Sequence, residues 1–399
     1  MPAREFSGFD VDTIADAVRQ PPMRELRATA RSRRRRRATL SSAALALAVM
    51  AGIVAPVVTG PDRLGSPDRP TPSGPVLPGR PGDFTLTGPE SGVDVRIDGC
   101  VLRFARTTDG GRTWSGWDAA RYEATRCEPG SAQAGESLDY SVLGDRIYLV
   151  DDDGSRRLST DEGRTWQDAD QAITSVRAFP DSARPVFCHF GCRAVDEPLA
   201  VDPSTSRVYR LSTTPPTPLP LFSLYPASDG SIWTTYGSGR VGSRSVDRGA
   251  TWSTWTSPPE AGSLALVGVD GQVGYRVATG LRGKVTLERT ADGGKTWSAT
   301  SVELPDGRHC DLTVGADGAL LVVVQTGPES DRRAEVRVSR DGGRTSTVAR
   351  DGGLPVGSVS VAPGYAWLFE GGTGPAEEAD RLVLTNDGRD WRQFLLATS

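Results

Sequence analysis

Histidine is scarce in this chain, and its two copies are the first residues to test for catalysis or metal binding. The 399 residues include only His189 and His309. Neither follows the Ser-Gly elbow of a Ser-His-Asp hydrolase, and neither has a second ligand at the spacing of a zinc site. No glycine-rich loop joins a strand to a helix, as phosphate binding requires. The sequence therefore predicts no cofactor and no metal site, and each histidine is predicted to be a surface or strand residue.

One run of carboxylates has the composition of a cation site. Asp151, Asp152 and Asp153 are consecutive and precede Gly154. Clustered carboxylates suit Ca²⁺, particularly in an exported domain. The same residues also make an ordinary turn between two strands, which needs no metal. The turn is the favoured interpretation.

Five cysteines lie in the C-terminal part of the chain, as expected of a protein that folds in an oxidising compartment. Cys188 and Cys192 flank a short segment and are close enough to bridge locally. Cys100 and Cys127 are the other candidate pair, which would leave Cys310 free. A redox-active or metal-binding Cys188/Cys192 pair is the alternative, although no thioredoxin-like pattern surrounds it. Spacing alone does not determine the connectivity.

The most informative feature is an eight-residue pattern, called the aspartate motif below, that recurs along the C-terminal part. Its first copy is Thr107-Thr108-Asp109-Gly110-Gly111-Arg112-Thr113-Trp114. The other full copies contain Asp161 with Trp166, Asp247 with Trp252, and Asp292 with Trp297. Two degraded copies contain Asp341, without a tryptophan, and Asp387 with Trp391. A weak seventh copy is predicted at 201–209, with Tyr209 in place of the tryptophan. The units are about 45 residues long.

The residue types of the motif describe a β-hairpin turn. Ser or Thr ends one strand, and the aspartate accepts hydrogen bonds from backbone N–H groups of the turn. Glycine supplies the positive φ that other residues resist, and tryptophan begins the next strand with a buried ring. The motif aspartates and tryptophans are therefore predicted to be structural residues.

Short alternating apolar runs between the motifs predict roughly four strands in each unit. The predicted strands include 138–143, 146–150, 231–236, 264–269, 273–278, 320–325, 358–362 and 365–369. No helix longer than one or two turns is predicted after residue 83. The predicted fold is all-β: a seven-bladed β-propeller, with six or eight blades as alternatives because two units are degenerate.

This motif at this spacing resembles the Asp-box, or bacterial neuraminidase repeat, family of β-propellers. Similar repeats occur in sialidases, xyloglucan-cleaving glycosidases, sortilin-type receptors and photosystem II assembly factors, so the resemblance is specific for fold and not for function. It implies that Asp109 and its equivalents lie on outer hairpins, away from a central binding face.

A sialidase activity, if the resemblance extends that far, implies particular residues. Arg96, in Val95-Arg96-Ile97-Asp98, is the nearest match to the first arginine motif, although the flanking aromatic and proline are missing. Tyr365 is the candidate nucleophile, with Glu260 or Glu288 as its partner. Asp118 stands on the wrong side of the first aspartate motif to match the usual acid. These departures favour a binding protein over an enzyme.

Charge and hydropathy divide the chain before residue 83. Residues 1–37 contain ten arginines and five acids, so the rest of the chain has a net charge of about −9, which disfavours nucleic acid as a partner.

Residues 38–58 carry no charge and, as a helix, would span about 31 Å, enough to cross a bilayer. A cleaved signal peptide is the alternative. Seven prolines in residues 61–82 predict an extended spacer.

The predicted organisation has four parts: a cytoplasmic basic segment (1–37), a transmembrane helix (38–60), a Pro-rich linker (61–82) and an extracytoplasmic propeller (83–399). Arginines before the span place the N-terminus in the cytoplasm. The predicted function is a non-enzymatic binding or scaffold module in the cell membrane, whose central face binds an envelope glycan, peptide or protein. A sialidase-like glycoside hydrolase is the alternative.

Overall fold

The computed structural model describes residues 83–397, apart from a set of short gaps. The gaps are 126, 128–137, 190–191, 193, 258–261, 280–284, 306–309, 328–332, 354–359 and 371–378. The predicted cytoplasmic segment, transmembrane helix and linker, together with His309 and Glu260, lie outside the described residues. No helix in the described part of the chain has the length and apolar character needed to cross a bilayer.

Twenty-eight strands form seven four-stranded sheets among the described residues. Sheet 1 contains β1 (Asp83–Leu86), β2 (Gly92–Asp98), β3 (Val101–Thr107) and β4 (Arg121–Glu123). Sheet 2 contains β5 (Leu138–Gly144), β6 (Ile147–Asp152), β7 (Ser155–Ser159) and β8 (Gln167–Asp168). Sheet 3 contains β9 (Thr174–Val176), β10 (Arg184–Pro185), β11 (Leu199–Asp202) and β12 (Arg207–Leu211). One short helix, α1 (Ala169–Ala172), joins sheets 2 and 3 and is capped by Asp168.

The remaining four sheets repeat the same plan. Sheet 4 contains β13 (Leu221–Pro226), β14 (Ile232–Tyr236), β15 (Val241–Ser245) and β16 (Ser253–Thr256). Sheet 5 contains β17 (Gly262–Gly268), β18 (Gly274–Thr279), β19 (Val285–Thr290) and β20 (Ser298–Ala299). Sheet 6 contains β21 (Cys310–Val314), β22 (Leu320–Thr326), β23 (Arg333–Ser339) and β24 (Thr347–Gly353). Sheet 7 contains β25 (Val361–Ala362), β26 (Tyr365–Glu370), β27 (Arg381–Thr385) and β28 (Arg392–Leu395).

This arrangement is that of a nearly all-β, seven-bladed propeller. Six sheets are antiparallel meanders whose strands follow chain order. First strands of successive sheets contact one another, from β10 to β13, β17, β21 and β25, and they therefore form the inner side. Second strands such as β6, β14 and β22 are buried along almost their whole length, as expected where both faces of a sheet are covered by neighbouring sheets. Most predicted strands match the observed bounds within two residues.

Sheet 3 departs from the repeat. Its outer strand, β9, precedes the rest of the sheet in the chain and pairs parallel to β12. The segment after β12 contains Pro215, Pro216, Pro218 and Pro220. Proline cannot donate to a strand ladder, so this segment cannot form the usual fourth strand, and β9 takes its place.

The predicted weak copy at 201–209 is therefore misplaced. These residues form the hairpin between β11 and β12, whereas the six other copies connect the third and fourth strands of their sheets. Asp202 closes its own turn by accepting hydrogen bonds from the N–H groups of Ser204 (2.9 Å) and Thr205 (3.3 Å). Its similarity to the motif reflects turn chemistry common to many loops.

Every full aspartate motif closes the same hydrogen-bond network. In the first copy, the Thr107 hydroxyl donates to Asp109 Oδ1 (2.9 Å) and accepts from the Gly111 N–H (3.1 Å). The Thr113 N–H and hydroxyl donate to the two carboxylate oxygens of Asp109 (2.9 and 2.7 Å). The copy at Asp341 keeps this network without a tryptophan. In the shorter copy, the N–H groups of Arg389 and Asp390 bond Asp387.

The network holds one glycine of each motif against the preceding sheet. These glycines have φ between 73° and 92°, and a Cβ on any of them would lie closer than 3 Å to an atom of that sheet. The glycine–neighbour pairs are Gly111 with Leu395, Gly163 with Ala120, Gly249 with Leu211, Gly294 with Trp255, Gly343 with Thr300, and Gly388 with Val338. Both conformation and close approach therefore require glycine at this position.

The motif tryptophans are half-buried, not fully buried as the sequence predicts, because they lie at the edge strands. Trp166 is representative. Its indole N–H donates to the Arg121 carbonyl of sheet 1 (2.9 Å), and its ring lies 5.0 Å from Tyr122 and 6.0 Å from Phe104. The tryptophan thus joins two sheets while one side of its ring remains in solvent.

We expect Trp166→Ala to lower the free energy of unfolding by about 2 kcal/mol, less than for a fully buried ring, because part of the indole is already solvated. Trp166→Phe should lose about 1 kcal/mol, since it keeps the ring and removes the N–H donor. Urea denaturation followed by circular dichroism measures both. Equal losses in the two variants would show that the hydrogen bond, and not ring packing, dominates.

The motif carboxylates also predict an acid-sensitive stability. The Thr296 hydroxyl and N–H lower the pKa of Asp292 from 3.8 to about 2, and the N–H and hydroxyl of Thr113 do the same for Asp109. A lowered folded-state pKa stabilises the protein above about pH 4, and this contribution is lost as pH falls toward 2. Asp292→Asn should therefore flatten the dependence of unfolding free energy on pH between 4 and 2. Thr296→Val, which keeps the backbone donor, should give an intermediate slope, and a wild-type slope in both variants would contradict the assignment.

Candidate functional site

Arg96, the candidate substrate-gripping arginine, has a structural role. It lies on β2 and is 9% exposed. Its guanidinium donates to the carbonyl of Ala397 (3.0 Å), beyond β28, and stacks over the ring of Trp117 at 4.4 Å. Arg96 thus joins sheets 1 and 7, and these contacts occupy the group that would grip a substrate carboxylate.

Tyr365, the candidate nucleophile, lies at the start of β26 and is half-buried. It packs against an apolar cluster that includes Phe84, Trp367 and Phe394. Its candidate partner Glu288 lies on β19, where its carboxylate accepts a hydrogen bond from Arg276 at 2.7 Å. Asp118 forms an ion pair with Arg103. The structure therefore places each of these side chains in a local contact of its own sheet or junction.

The consecutive carboxylates at the end of β6 form a turn. Asp151 accepts from the Gly154 N–H (2.6 Å), and Asp153 has a φ of 50°. Asp152 is fully buried and accepts from the Tyr122 hydroxyl (3.1 Å) and from the Thr125 N–H (2.9 Å) and hydroxyl (2.8 Å). No group of three or more His, Cys, Asp or Glu side chains in the described ranges is placed to hold a metal ion.

Both predicted disulfides are confirmed. Cys100 bonds Cys127 and Cys188 bonds Cys192, with Cα–Cα distances of 5.5 and 5.0 Å. Cys310 is free and buried on β21. Burial raises the pKa of its thiol to about 12, so this cysteine is a poor nucleophile at neutral pH.

The second disulfide closes a loop that the sequence does not locate. We call residues 186–195, between β10 and β11, the channel loop; the disulfide ring lies within it. Cys188 exchanges two backbone hydrogen bonds with Leu224 of β13 (3.1 and 2.9 Å). The carbonyl of Cys192 accepts from the Ser141 hydroxyl of β5 (3.4 Å), and His189 Nε2 lies 2.9 Å from Asp311 Oδ1 of β21.

These partners belong to the inner strands of sheets 2, 4 and 6, which are not neighbours. A single loop reaches all three only by crossing the space that the inner strands enclose. The channel loop therefore covers part of the central face that was predicted to bind a ligand. The other sheets connect their first two strands by much shorter turns, so the signal in the sequence was the unusually long interval between β10 and β11.

The channel loop is held by buried polar contacts. The His189 side chain is 4% exposed, and Asp311 is fully buried. Asp311 Oδ2 accepts from the Ser360 N–H at 2.9 Å. Nearby, the Tyr225 hydroxyl lies 3.1 Å from Thr313 Oγ1, and burial raises the pKa of this tyrosine. Side chains that are buried to this extent hold the loop and the inner strands in position. They do not face a substrate.

A groove lies at the junction of sheets 1 and 7. Its volume is about 300 Å³, at the small end of the range typical of ligand pockets. Two exposed arginines, Arg112 and Arg392, line the groove, and the buried side chains of Leu384 and Phe394 close its base. Sequence reasoning missed this site because its residues come from opposite ends of the domain and meet only when the ring closes.

No protein-family model matches the sequence, and no curated protein matches it. Among solved structures, the chain is similar to YCF48 bound to a D1 peptide, with 13% identity over 80% of this chain and 95% of that one and a TM-score of 0.40. It is also similar to a puromycin-hydrolyzing peptidase from Mycobacterium tuberculosis (13% identity, 80% of this chain, 53% of that chain, TM-score 0.48). A third is virginiamycin B lyase from Staphylococcus aureus with quinupristin (11% identity, 80% and 96%, TM-score 0.41). The fold assignment rests on the strand pairing of this chain, and these likenesses establish no activity for it.

Proposed function

We propose that this protein is an exported, membrane-anchored binding or scaffold module of the cell envelope, whose ligand is a glycan, peptide or protein. Its propeller belongs to the Asp-box type and lies outside the cytoplasm, with residues 38–60 in the lipid bilayer. It needs no cofactor. A sialidase-like glycoside hydrolase is the second candidate, favoured only by the resemblance of the repeats.

The contacts of Arg96 and Tyr365 favour the binding module over the glycosidase. A glycosidase needs charged side chains aimed at a substrate, whereas Arg96 donates to the Ala397 carbonyl and stacks on Trp117. Tyr365 likewise packs into the apolar cluster at the same junction. Freeing either group would weaken the contact between the first and last sheets. The aspartate turns, in contrast, are closed by hydrogen bonds at six positions, four of them full motifs and two degraded ones, which supports a rigid scaffold with a recognition surface.

Export is supported by the cysteines. The disulfides Cys100–Cys127 and Cys188–Cys192 use four of the five cysteines, and such bonds persist in oxidising compartments. The uncharged run at 38–58 follows five consecutive arginines, which is the order expected of a span with a cytoplasmic N-terminus. A retained span would keep the propeller at the membrane surface.

We expect the full-length protein, purified in a mild detergent, to hydrolyse a fluorogenic sialoside no faster than the buffer control does.

Arg96→Gln should lower the thermal midpoint of unfolding, because the variant loses its bond across the junction of sheets 1 and 7. Tyr365→Phe, which keeps the packed ring, should stay close to the wild-type midpoint. Hydrolysis by the wild type that disappears in Tyr365→Phe would establish the glycosidase instead. Capture of a defined envelope component by the immobilised protein would support the binding module.

The topology is tested separately by protease protection. Protease added to spheroplasts should digest the C-terminal domain and leave an epitope at the N-terminus protected, because the propeller is proposed to lie outside. Permeabilised spheroplasts, in which both ends are accessible, provide the control. Protection of the C-terminal domain together with loss of the N-terminal epitope would reverse the orientation.

A further inference from the structure

The groove at the junction of sheets 1 and 7 exists because the ring closes without a shared strand. Sheet 1 is built entirely from residues 83–123 and sheet 7 from residues 361–395. Besides the apolar packing of Phe84 against Phe394, discrete hydrogen bonds join the two sheets. The Trp114 indole donates to the Leu395 carbonyl (3.1 Å), and the Leu395 N–H donates to the Gly110 carbonyl (3.1 Å). Beside these bonds the two sheets leave the space that forms the groove.

The rim of the groove is polar, and its base is closed by packed core side chains. Leu384 and Phe394 are 2% and 1% exposed, so they close the groove from below and offer a ligand almost no apolar surface. The rim carries Glu90, Gln393 and two arginines, all exposed. The lining is completed by Pro89, Asp109, Gly110 and Leu395.

Charged groups on the rim are available for a ligand. The Arg112 Nε donates to the Asp109 carbonyl at 2.7 Å, and the residue is exposed. Arg392 makes no hydrogen bond or ion pair to any residue that the structure describes, and the same holds for the carboxylate of Glu90. The Asp109 carboxylate, in contrast, is engaged by Thr113. The rim therefore offers two cations and one free carboxylate.

We propose that this groove binds a uronic acid residue of an acidic glycan, an assignment that rests on the proposed binding function. Arg112 and Arg392 contribute guanidinium groups from the two sheets to hold the sugar carboxylate. The carboxylate of Glu90 and the amide of Gln393 accept and donate hydrogen bonds with ring hydroxyls. One monosaccharide fits a cavity of about 300 Å³.

The mixed rim favours a sugar over an apolar acid or a peptide terminus. A hydrocarbon chain seated in the groove would desolvate the Glu90 carboxylate without giving it a donor, which is costly. Sugar hydroxyls supply such donors.

The test uses the full-length protein in detergent with methyl β-glucuronide, monitored by ligand-observed NMR. We expect a Kd of about 1 mM, typical of a ligand with so few atoms. Methyl β-glucoside, which lacks the carboxylate, should bind at least about tenfold more weakly. Arg392→Gln should lose about tenfold in affinity for the glucuronide, whereas Arg240→Gln, at an exposed arginine of sheet 4, should bind normally.

Three results would overturn the assignment: no binding of the glucuronide, equal binding of the glucoside, or wild-type affinity in Arg392→Gln. Tighter binding of N-acetyl-leucine than of the glucuronide would replace the sugar by a peptide terminus. An unchanged thermal midpoint in Arg392→Gln shows that lost affinity is not lost folding. If the wild type captures an envelope component and Arg392→Gln captures it equally well, the binding module stands and the groove assignment fails.

Discussion

The contact on which the ring depends is the one between a motif glycine and the preceding sheet. Asp109 does not touch that sheet; it orders the turn, and the turn presents Gly111 to the backbone of Leu395. Each carboxylate therefore acts through a glycine that no larger residue can replace. At six of the seven junctions, a sheet is therefore placed on its neighbour by a turn encoded within about eight residues.

The junction of sheets 2 and 3 lacks the device; ion pairs supplement the apolar cluster that packs these two sheets together. Asp170 of α1 pairs with Arg156 of β7 (2.5 Å) and Arg210 of β12 (3.4 Å). Glu197 lies 3.9 and 3.6 Å from the same two guanidiniums. Sheet 3 also lost its usual outer strand to prolines and gained the channel loop. The exchanged outer strand and the channel loop occur in the same sheet. Without the motif turn to fix them, the segments of this sheet are free to follow a different course from those of the other sheets.

The sequence allowed prediction of the features that depend on interactions between residues close together in the chain. The hairpin turns, most strand bounds and the number of sheets follow from short-range patterns, and both cysteine pairs were among the candidate pairings that spacing alone left open. The structure differs from the prediction where a segment distant in the sequence determines which strand or loop occupies a position. The parallel strand β9, the partners of His189 and the misplaced copy at 201–209 all depend on which segment fills an inner or outer position. The tryptophans were expected to be buried because the sequence shows their size and not their place at an edge. The groove residues, near positions 90 and 392, carry no common pattern in the sequence at all.

Ring closure explains why a binding site would arise at this particular junction. Elsewhere a sheet follows its neighbour directly in the chain, so the two ends of each junction are covalently close. Sheets 1 and 7 are joined only by non-covalent contacts, including the bond from Arg96 to Ala397 and the aromatic contact of Phe84 with Phe394 (5.1 Å). A ligand held by Arg112 of one sheet and Arg392 of the other adds a further link across them. Since such a ligand binds only the closed ring, its binding free energy also stabilises closure, and recognition and fold stability become coupled at the same place.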